Sequence, residues 1–314
     1  MVTRVGSYAQ QTLITSQTLK TQTYLYQRQE QVATGKVGQS YQSVVRDSQR
    51  LVTMENHLSR AEQYVRNIGV AEKRVTLMND AVEGISEAAR SMHGLLSQRS
   101  GDSKKYYETD LALQQQARNL RDLVVEMLNT SDDSRYLFSG GQTEERPVQL
   151  DNGTYTAPTT PPMPTTADTS WYAGDGVTQE IRIDTSITVS YGVKADYAGF
   201  EKVIRALDSV ANLTFSDPVT DPERQVLDDA RGLLNTAIDE IRVVENELAL
   251  NFKRLQDTKD RQQSFINFAN DQIGDIENIN TAEVITEMNA ATTQLEASYL
   301  TLSQIQRLSL TNYL

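Results

Sequence analysis

Residues 51–96 read LVTMENHLSRAEQYVRNIGVAEKRVTLMNDAVEGISEAARSMHGLL, and this stretch decides the fold. Taken in steps of three and four, Leu51, Met54, Leu58, Ala61, Val65, Ile68, Ala71, Val75, Met78, Val82, Ile85, Ala89, Met92 and Leu96 are all apolar. The residues between them are mostly polar or charged, no proline interrupts them, and Gly69, Gly84 and Gly94 lie off the stripe. That spacing predicts one helix with a narrow coiled-coil seam. At about 1.5 Å per residue it is a rod of roughly 70 Å. Val65, Ile68 and Ala71 step three and three, a stammer that overwinds a supercoil locally. One rod cannot bury its own seam, so another part of the chain must run alongside.

That partner starts at Asp221-Pro222, where aspartate suits a helix N-cap and proline the first turn. Its seam is Leu227, Ala230, Leu234, Ala237, Ile241, Val244, Leu248, Phe252 and Leu255. After a polar break around Lys259 and Gln262 it continues through Ile266, Ala269, Ile273 and Ile276. The rod core is expected at Leu51, Leu58, Val65, Val75 and Val82 of the first rod, and at Leu234, Ile241, Leu248 and Phe252 of the second.

Between the rods, Asp102 or Ser103 is the expected cap of a helix carrying Leu113, Ala117, Leu120, Val124 and Met127 on one face. The short turn before it predicts an antiparallel return. Asn129–Asp133 is a polar break, and Thr143–Thr169, rich in Pro, Thr and Asp, cannot be helix. Asp132-Asp133 is read as a cap, Asp151-Asn152-Gly153 as a hairpin turn. Ile181 and Ile183, then Ile187 and Val189, alternate with polar residues as in short strands, with Trp171, Tyr172 and Tyr191 available to cover them. A helix with Phe200, Val203, Ile204, Leu207 and Val210 on one side follows.

The two ends are helical but weaker. From about Ser7, the three-four spacing passes through Val5, Tyr8, Thr12, Thr15, Leu19, Gln22, Tyr26, Gln29 and Ala33, half of them polar. Such a segment is either a frayed terminus or one that orders only against partners. Gly35 stops it. Asn280 with Glu283 caps a last helix bearing Ile285, Met288, Leu295, Tyr299, Leu302 and Ile305. The expected architecture is mainly α: long antiparallel, coiled-coil-like rods formed by N- and C-terminal parts around a small β-rich insertion. Terminal helices fall at 1–40 and 277–314, the rod at 41–139 and 218–276, and the insertion at 140–217.

Composition narrows the function. A net charge of −12 gives no field that draws the chain to phosphates, so nucleic acid and anionic membranes are poor partners. A mean hydropathy of −0.50 and 7% aromatic residues suit thin packing. No apolar run approaches the ~18 residues of a membrane span, and the first 30 residues lack a signal-peptide core. There is no cysteine. The two histidines, His57 and His93, flank seam positions 36 residues apart without a third ligand. Gly35-Lys36 lacks the P-loop glycine, because Glu30 holds that place. No nucleophile motif, metal motif or dinucleotide fingerprint occurs, so neither an enzyme nor a cofactor is expected.

Several stretches nevertheless resemble one family. Gln29-Glu30-Gln31-Val32-Ala33-Thr34-Gly35-Lys36 and Gln63-Tyr64-Val65-Arg66-Asn67-Ile68 are similar to N-terminal blocks of flagellins. Residues 275–283 and Leu308-Ser309-Leu310 to Leu314 are similar to their C-terminal blocks. Within that superfamily, Ser134-Arg135-Tyr136-Leu137-Phe138-Ser139-Gly140-Gly141 resembles the signature of the hook–filament junction (third hook-associated protein) branch, carried here by Arg135, Tyr136, Phe138 and Gly140. Trp171-Tyr172-Ala173-Gly174-Asp175-Gly176 with Ile181-Arg182-Ile183 resembles a second stretch of the same branch. Ser40-Tyr41-Gln42-Ser43 departs from the family, which has a proline-containing loop there.

The resemblance implies export through the flagellar type III channel without a cleaved signal and assembly outside the cell in a tubular structure. It implies terminal helices that order on assembly, with Leu19, Leu25, Tyr26, Leu295, Leu302 and Leu308 as assembly residues. The implied partners are the hook-side junction protein, flagellin, other copies of the chain in a helical ring, and an export chaperone. The expected function is a structural adaptor between hook and filament. The alternatives are a minor flagellin that builds filament itself, and a cytosolic coiled-coil scaffold or chaperone.

Overall fold

The computed structural model describes residues 2–44, 46–101 and 107–311. Six α-helices dominate them: α1 (Val2–Thr34), α2 (Ser48–Gly101), α3 (Tyr107–Leu128), α4 (Ala198–Asn212), α5 (Asp221–Glu277) and α6 (Thr281–Thr311). Strands are few. β1 (Ser131–Asp132) pairs antiparallel with β2 (Arg135–Tyr136), and β3 (Glu180–Arg182) with β4 (Thr188–Ser190). The chain is mainly α, as its periodicity predicts, but much of the insertion is irregular rather than strand. No helix among the described residues is long and apolar enough to cross a membrane. The residues gather into two compact units, Met1–Arg60 with Phe265–Leu314 and Ala61–Ser264, here the terminal and central units.

In the central unit α2 and α5 run antiparallel, joined at their polar flank by Lys259 Nζ and Glu72 Oε2 at 2.5 Å. Ile68, Val75, Met78, Val82, Ile85, Met92 and Leu96 of α2 are buried, with Leu234, Ala237, Ile241, Val244, Leu248 and Leu255 of α5. The stripe on α2 is wider than a two-position seam, because Ala81, Ser86 and Ala88 are buried as well. The cause is α3, whose Met127 lies so close to Gly84 that a Cβ there would stand 2.7 Å from its sulfur. Arg99 of α2 grips the buried carboxylate of Asp110 on α3, with Nη2 2.7 Å from Oδ2. The caps expected at Asp102 or Ser103 lie outside the described residues.

Helix α4 closes the core between α3 and α5. Arg121 Nη1 meets Asp208 at 2.8 Å, and Arg118 donates to the Ala211 carbonyl at 3.0 Å. On its other side Tyr197 and Lys202 reach Glu240. Phe200 is fully buried, with Phe138 edge-on at 6.3 Å. The start of α5 differs from expectation in one detail. Glu223 accepts the Thr220 amide at 2.6 Å and the Ser216 amide at 3.0 Å, so the side-chain cap is built on Glu223 rather than on Asp221. Burial works against the Glu223 charge, yet these bonds outweigh it and hold its pKa below the usual range.

Three features between α3 and α4 also differ. Ile187 is exposed in the β3–β4 turn, where its carbonyl accepts the Ile183 amide at 3.0 Å, while Ile183 and Val189 point inward. Asp132 caps no helix; it accepts hydrogen bonds from Lys73 and Arg74 of α2. Asp133 and Ser134, at φ of 49° and 65°, form the left-handed turn between β1 and β2. Asp151–Gly153 does turn, closed by Asn152 Oδ1 on the Thr154 amide at 2.9 Å, but no strands flank it.

In the terminal unit α1 and α6 are antiparallel: Gln22 bonds Tyr299, and Arg28 Nε meets Glu287 Oε2 at 2.9 Å. The start of α2 and the end of α5 are antiparallel as well, through Arg50 with Gln272 and His57 edge-on to Phe265 at 6.5 Å. Gly35, at φ 72°, ends α1 in the left-handed region. Its carbonyl accepts the Ile279 amide at 3.0 Å, and the Val37 amide donates to Glu277 O at 2.7 Å. Lys36 Nζ pairs with Glu277 at 2.8 Å. The Gly35-Lys36 pair therefore latches the end of α1 to the α5–α6 junction.

Candidate functional site

The terminal helices offer a surface rather than a pocket. The covered positions of α1 centre on a row at steps of four and three, Ile14, Thr18, Thr21, Leu25, Arg28 and Val32, with Gln22 and Gln31 covered beside it. They face the matching row Val284, Met288, Ala291, Leu295, Ser298, Leu302 and Ile305 of α6. The sequence spacing through Thr15, Leu19, Gln22 and Tyr26 is therefore one residue out of register. The contact is made largely by small and polar groups: Thr18 and Thr21 return their hydroxyls to the Ile14 and Gln17 carbonyls at 2.9 and 3.1 Å. These internal bonds let a polar residue sit in the seam without an unsatisfied donor.

The register shift divides the expected assembly residues. Leu25, Leu295 and Leu302 are half-buried in the α1–α6 seam. Leu19 and Tyr26 are 58% and 69% exposed on the outer side of α1. Leu13, Tyr299 and Leu300 add further exposed apolar area to the same helix pair. Leu308 lies in the last turns of α6, outside the residues whose side chains are described. Of the expected rod-core residues, Leu51, Val75, Val82, Leu234, Ile241 and Leu248 are buried, and Leu58, Val65 and Phe252 are half-buried.

The second candidate site is the motif region of the central unit. Leu137 and Phe138 are buried, Tyr136 is half-buried and Arg135 is exposed. The Ala195 amide donates to Phe138 O at 2.9 Å, and the Asp175 amide to Ser139 O at 3.2 Å. Asp175 Oδ1 then accepts the Gly141 amide at 2.7 Å and the Val177 amide at 3.0 Å. Those two amides hold the Asp175 carboxyl below its usual pKa range. Tyr172, whose phenol burial pushes up, donates to Asp175 O at 3.0 Å. Gly140 has φ 71°, and a Cβ there would stand 2.8 Å from Asp175 O and 2.9 Å from Val177 O. A Cβ on Gly174 would overlap the Tyr172 hydroxyl and Ser139 O. The two motifs, separate in sequence, are the two halves of one lock. Sequence reading singled out each half, but only the glycine contacts pair them.

Among the described residues no group of three or more His, Cys, Asp or Glu is placed to hold a metal ion. His57 is exposed beside Phe265, and His93 is half-buried far along α2. The arrangement presents shape, apolar area and charge.

Comparison with known proteins follows the same line. Residues 232–314 match the model of the bacterial flagellin C-terminal helical region. No curated protein matches the chain by sequence. Among solved structures, the chain is similar to a protein described as a flagellar hook-associated protein from Vibrio parahaemolyticus (TM-score 0.59, 14% identity, covering 73% of this chain and 96% of that one). It is similar to FlgL from Bacillus cereus (TM-score 0.52, 14% identity, 73% and 99% covered). It is also similar to the flagellar junction protein FlgL from Legionella pneumophila (TM-score 0.52, 10% identity, 71% and 98% covered). The chain thus carries the bacterial flagellin C-terminal helical region at residues 232–314, on a fold shared with the solved flagellar hook-associated proteins.

Proposed function

We propose that this protein is a structural adaptor of the bacterial flagellum that joins the hook to the flagellin filament. The observation that carries the reading is its likeness, over nearly the whole length of those chains, to hook-associated and junction proteins, together with a flagellin-type C-terminal region. Its mechanism is packing. The α1–α6 pair supplies the inner contact surface, and exposed Leu19 and Tyr26 are the residues aimed at neighbours. Terminal segments 1–40 and 277–314 form the inner layer, 41–139 and 218–276 the rod, and 140–217 the insertion. A head-to-tail contact repeated along a helix builds a tube rather than a closed dimer. One surface meets the hook-side junction protein and another flagellin, so specificity resides in two different interfaces. The chain acts outside the cell, after export without a cleaved signal and with an export chaperone.

Deleting the gene in its host tests this reading. Intact hooks, no filaments and flagellin monomer in the medium are expected. Normal amounts of filament would overturn it in favour of a minor flagellin.

A further inference from the structure

Asn152-Gly153 is the only asparagine–glycine pair in the chain, and the adaptor role makes no use of it. Residues 151–154 are exposed on the insertion of the central unit. Three donors converge on Asn152 Oδ1: the Thr154 amide at 2.9 Å, the Tyr155 amide at 3.3 Å and the Thr154 hydroxyl at 2.7 Å. The two main-chain donors fix which side-chain atom is the oxygen. The hydroxyl also lies 3.2 Å from Ser170 O, but its single hydrogen favours the shorter contact. Asn152 Nδ2 donates to Ser170 O at 2.8 Å.

Closing the turn takes one of these donors. Three donors on one carbonyl-type oxygen form the arrangement that stabilises negative charge developing there. The nitrogen next to it is open to attack and to be attacked by base. The Gly153 amide donates to no acceptor among the described residues. A Cβ at 153 would meet nothing within 4 Å, so solvent reaches this nitrogen freely. Asp151 places a like charge nearby, but its carboxylate is exposed and screened by salt.

We propose that Asn152-Gly153 is a self-modifying site, at which the Gly153 nitrogen attacks Asn152 Cγ while Thr154 stabilises the charge forming on Oδ1. Hydroxide first takes the Gly153 amide proton and becomes water. The new N–Cγ bond pushes an electron pair onto Oδ1. That pair returns as the Cγ–Nδ2 bond breaks, and ammonia leaves with a proton from water, which restores the hydroxide. A cyclic imide remains. Water then opens it at Cγ, leaving aspartate at position 152, or at the main-chain carbon of that residue, leaving isoaspartate. No oxidant, enzyme or partner is needed, so the step is independent of the adaptor reading. In the aspartate product the two amides keep their acceptor, but an oxygen faces Ser170 O where Nδ2 donated, and that tie is lost. The isoaspartate product lengthens the main chain by one carbon and loses the turn as well. Both add negative charge to the exposed insertion.

The test is ageing of the purified full-length protein at neutral pH and at growth temperature. Peptide mass spectrometry reads amide-to-acid conversion at Asn152, and enzymatic methylation reads isoaspartate. Asn79 and Asn270, which precede aspartates inside α2 and α5, are internal references and should stay intact. Thr154→Val keeps the side-chain shape and removes the hydroxyl donor; Thr154→Ser keeps the donor. In the folded chain Thr154→Val should convert about tenfold more slowly than wild type, and Thr154→Ser at the wild-type rate. In guanidinium-unfolded chains all three should convert alike, and raising the pH should speed every one. Unchanged thermal unfolding of the variants establishes that the fold is intact. Conversion of wild type only when unfolded would show that the turn protects Asn152, and would overturn the proposal. Folded Thr154→Val converting as fast as wild type would overturn it too.

Discussion

Asp175 Oδ1 lies 2.7 Å from the backbone nitrogen of Gly141, 34 residues earlier in the chain. The bond is possible because positions 140 and 141 lack a Cβ. At Gly141 a Cβ would stand 2.7 Å from the second carboxylate oxygen, and at Gly140 it would meet the main chain of Asp175 and Val177. The lock joins the hairpin after α3 to the segment before β3. It therefore sets how the insertion sits on the central core, where Phe138 meets Phe200.

Gly140→Ala should destabilise the central unit by about 2 kcal/mol or more. The left-handed φ alone costs roughly 1–2 kcal/mol for a residue with a Cβ. The contacts with Asp175 O and Val177 O add to that and cannot relax without moving main chain. Ala at Gly153, which has φ 78° but open space around it, is the control and should cost only the backbone part. Urea unfolding of the two variants distinguishes them, and equal losses would remove the steric role of Gly140.

Acid should unfold the central unit through a small set of carboxylates. Asp132, held down by Lys73 and Arg74, Asp175, held down by two amides, and Glu223, held down by its cap bonds, all have folded pKa values below the ordinary ones. For a depressed carboxylate the stabilisation is complete above the unfolded pKa, about 4, and is lost as pH falls through the folded value. Glu201, pushed up by burial, acts in the opposite sense. The three outnumber it, so stability should be flat near neutrality and fall below about pH 4. Asp175→Asn should shallow that fall. A variant with the same pH slope as wild type would show that Asp175 does not contribute.

Leu302→Asp and Leu19→Ser should separate folding from assembly. Leu302 is half-buried in the α1–α6 seam, so a charge there should open the pair and raise amide exchange along α1 by tenfold or more, the effect of about 1.4 kcal/mol. Leu19 is 58% exposed, so serine should leave exchange unchanged and reduce only incorporation at the hook. Faster exchange in Leu19→Ser would place that residue in the seam after all.

How much of this was legible in the sequence depended on whether burial and hydrophobicity agreed. In α2 and α5 they largely do: Leu51 to Leu96 and Leu227 to Leu255 are long apolar rows, with Ser86 and Thr258 among the few buried polar residues beside them. In α1 they do not. Thr18 and Thr21 occupy the seam because their hydroxyls bond the helix's own carbonyls, while Leu19 and Tyr26 face outward. A spacing rule that follows apolar residues therefore selects the wrong row by one position. The lock was unreadable for another reason. Phe138–Gly141 and Gly174–Gly176 are visible as motifs, but what pairs them is the room left by missing Cβ atoms, which has no one-dimensional signal.

The irregular segment after Tyr155 makes the last prediction. Arg205 of α4 donates through Nη1 to the carbonyls of Pro164 and Thr166, at 2.6 and 2.9 Å. Glu201, one turn earlier, pairs with Arg205 Nη2 at 3.2 Å and accepts the Asp168 amide at 3.2 Å. Both side chains are almost fully buried. Removing one member leaves the other charged and unpaired in a dry site, which typically costs about 3–5 kcal/mol, whereas replacing both by neutral groups of similar shape is far milder. Arg205→Met should therefore destabilise strongly and free residues 157–169, so that limited proteolysis cuts there first. Glu201→Gln with Arg205→Met should recover much of the thermal stability, because no lone charge remains. It should still be cut in that segment, because the two carbonyls have lost their donor. If the double variant is as unstable as Arg205→Met alone, the cost lies in the carbonyl contacts and not in the stranded carboxylate.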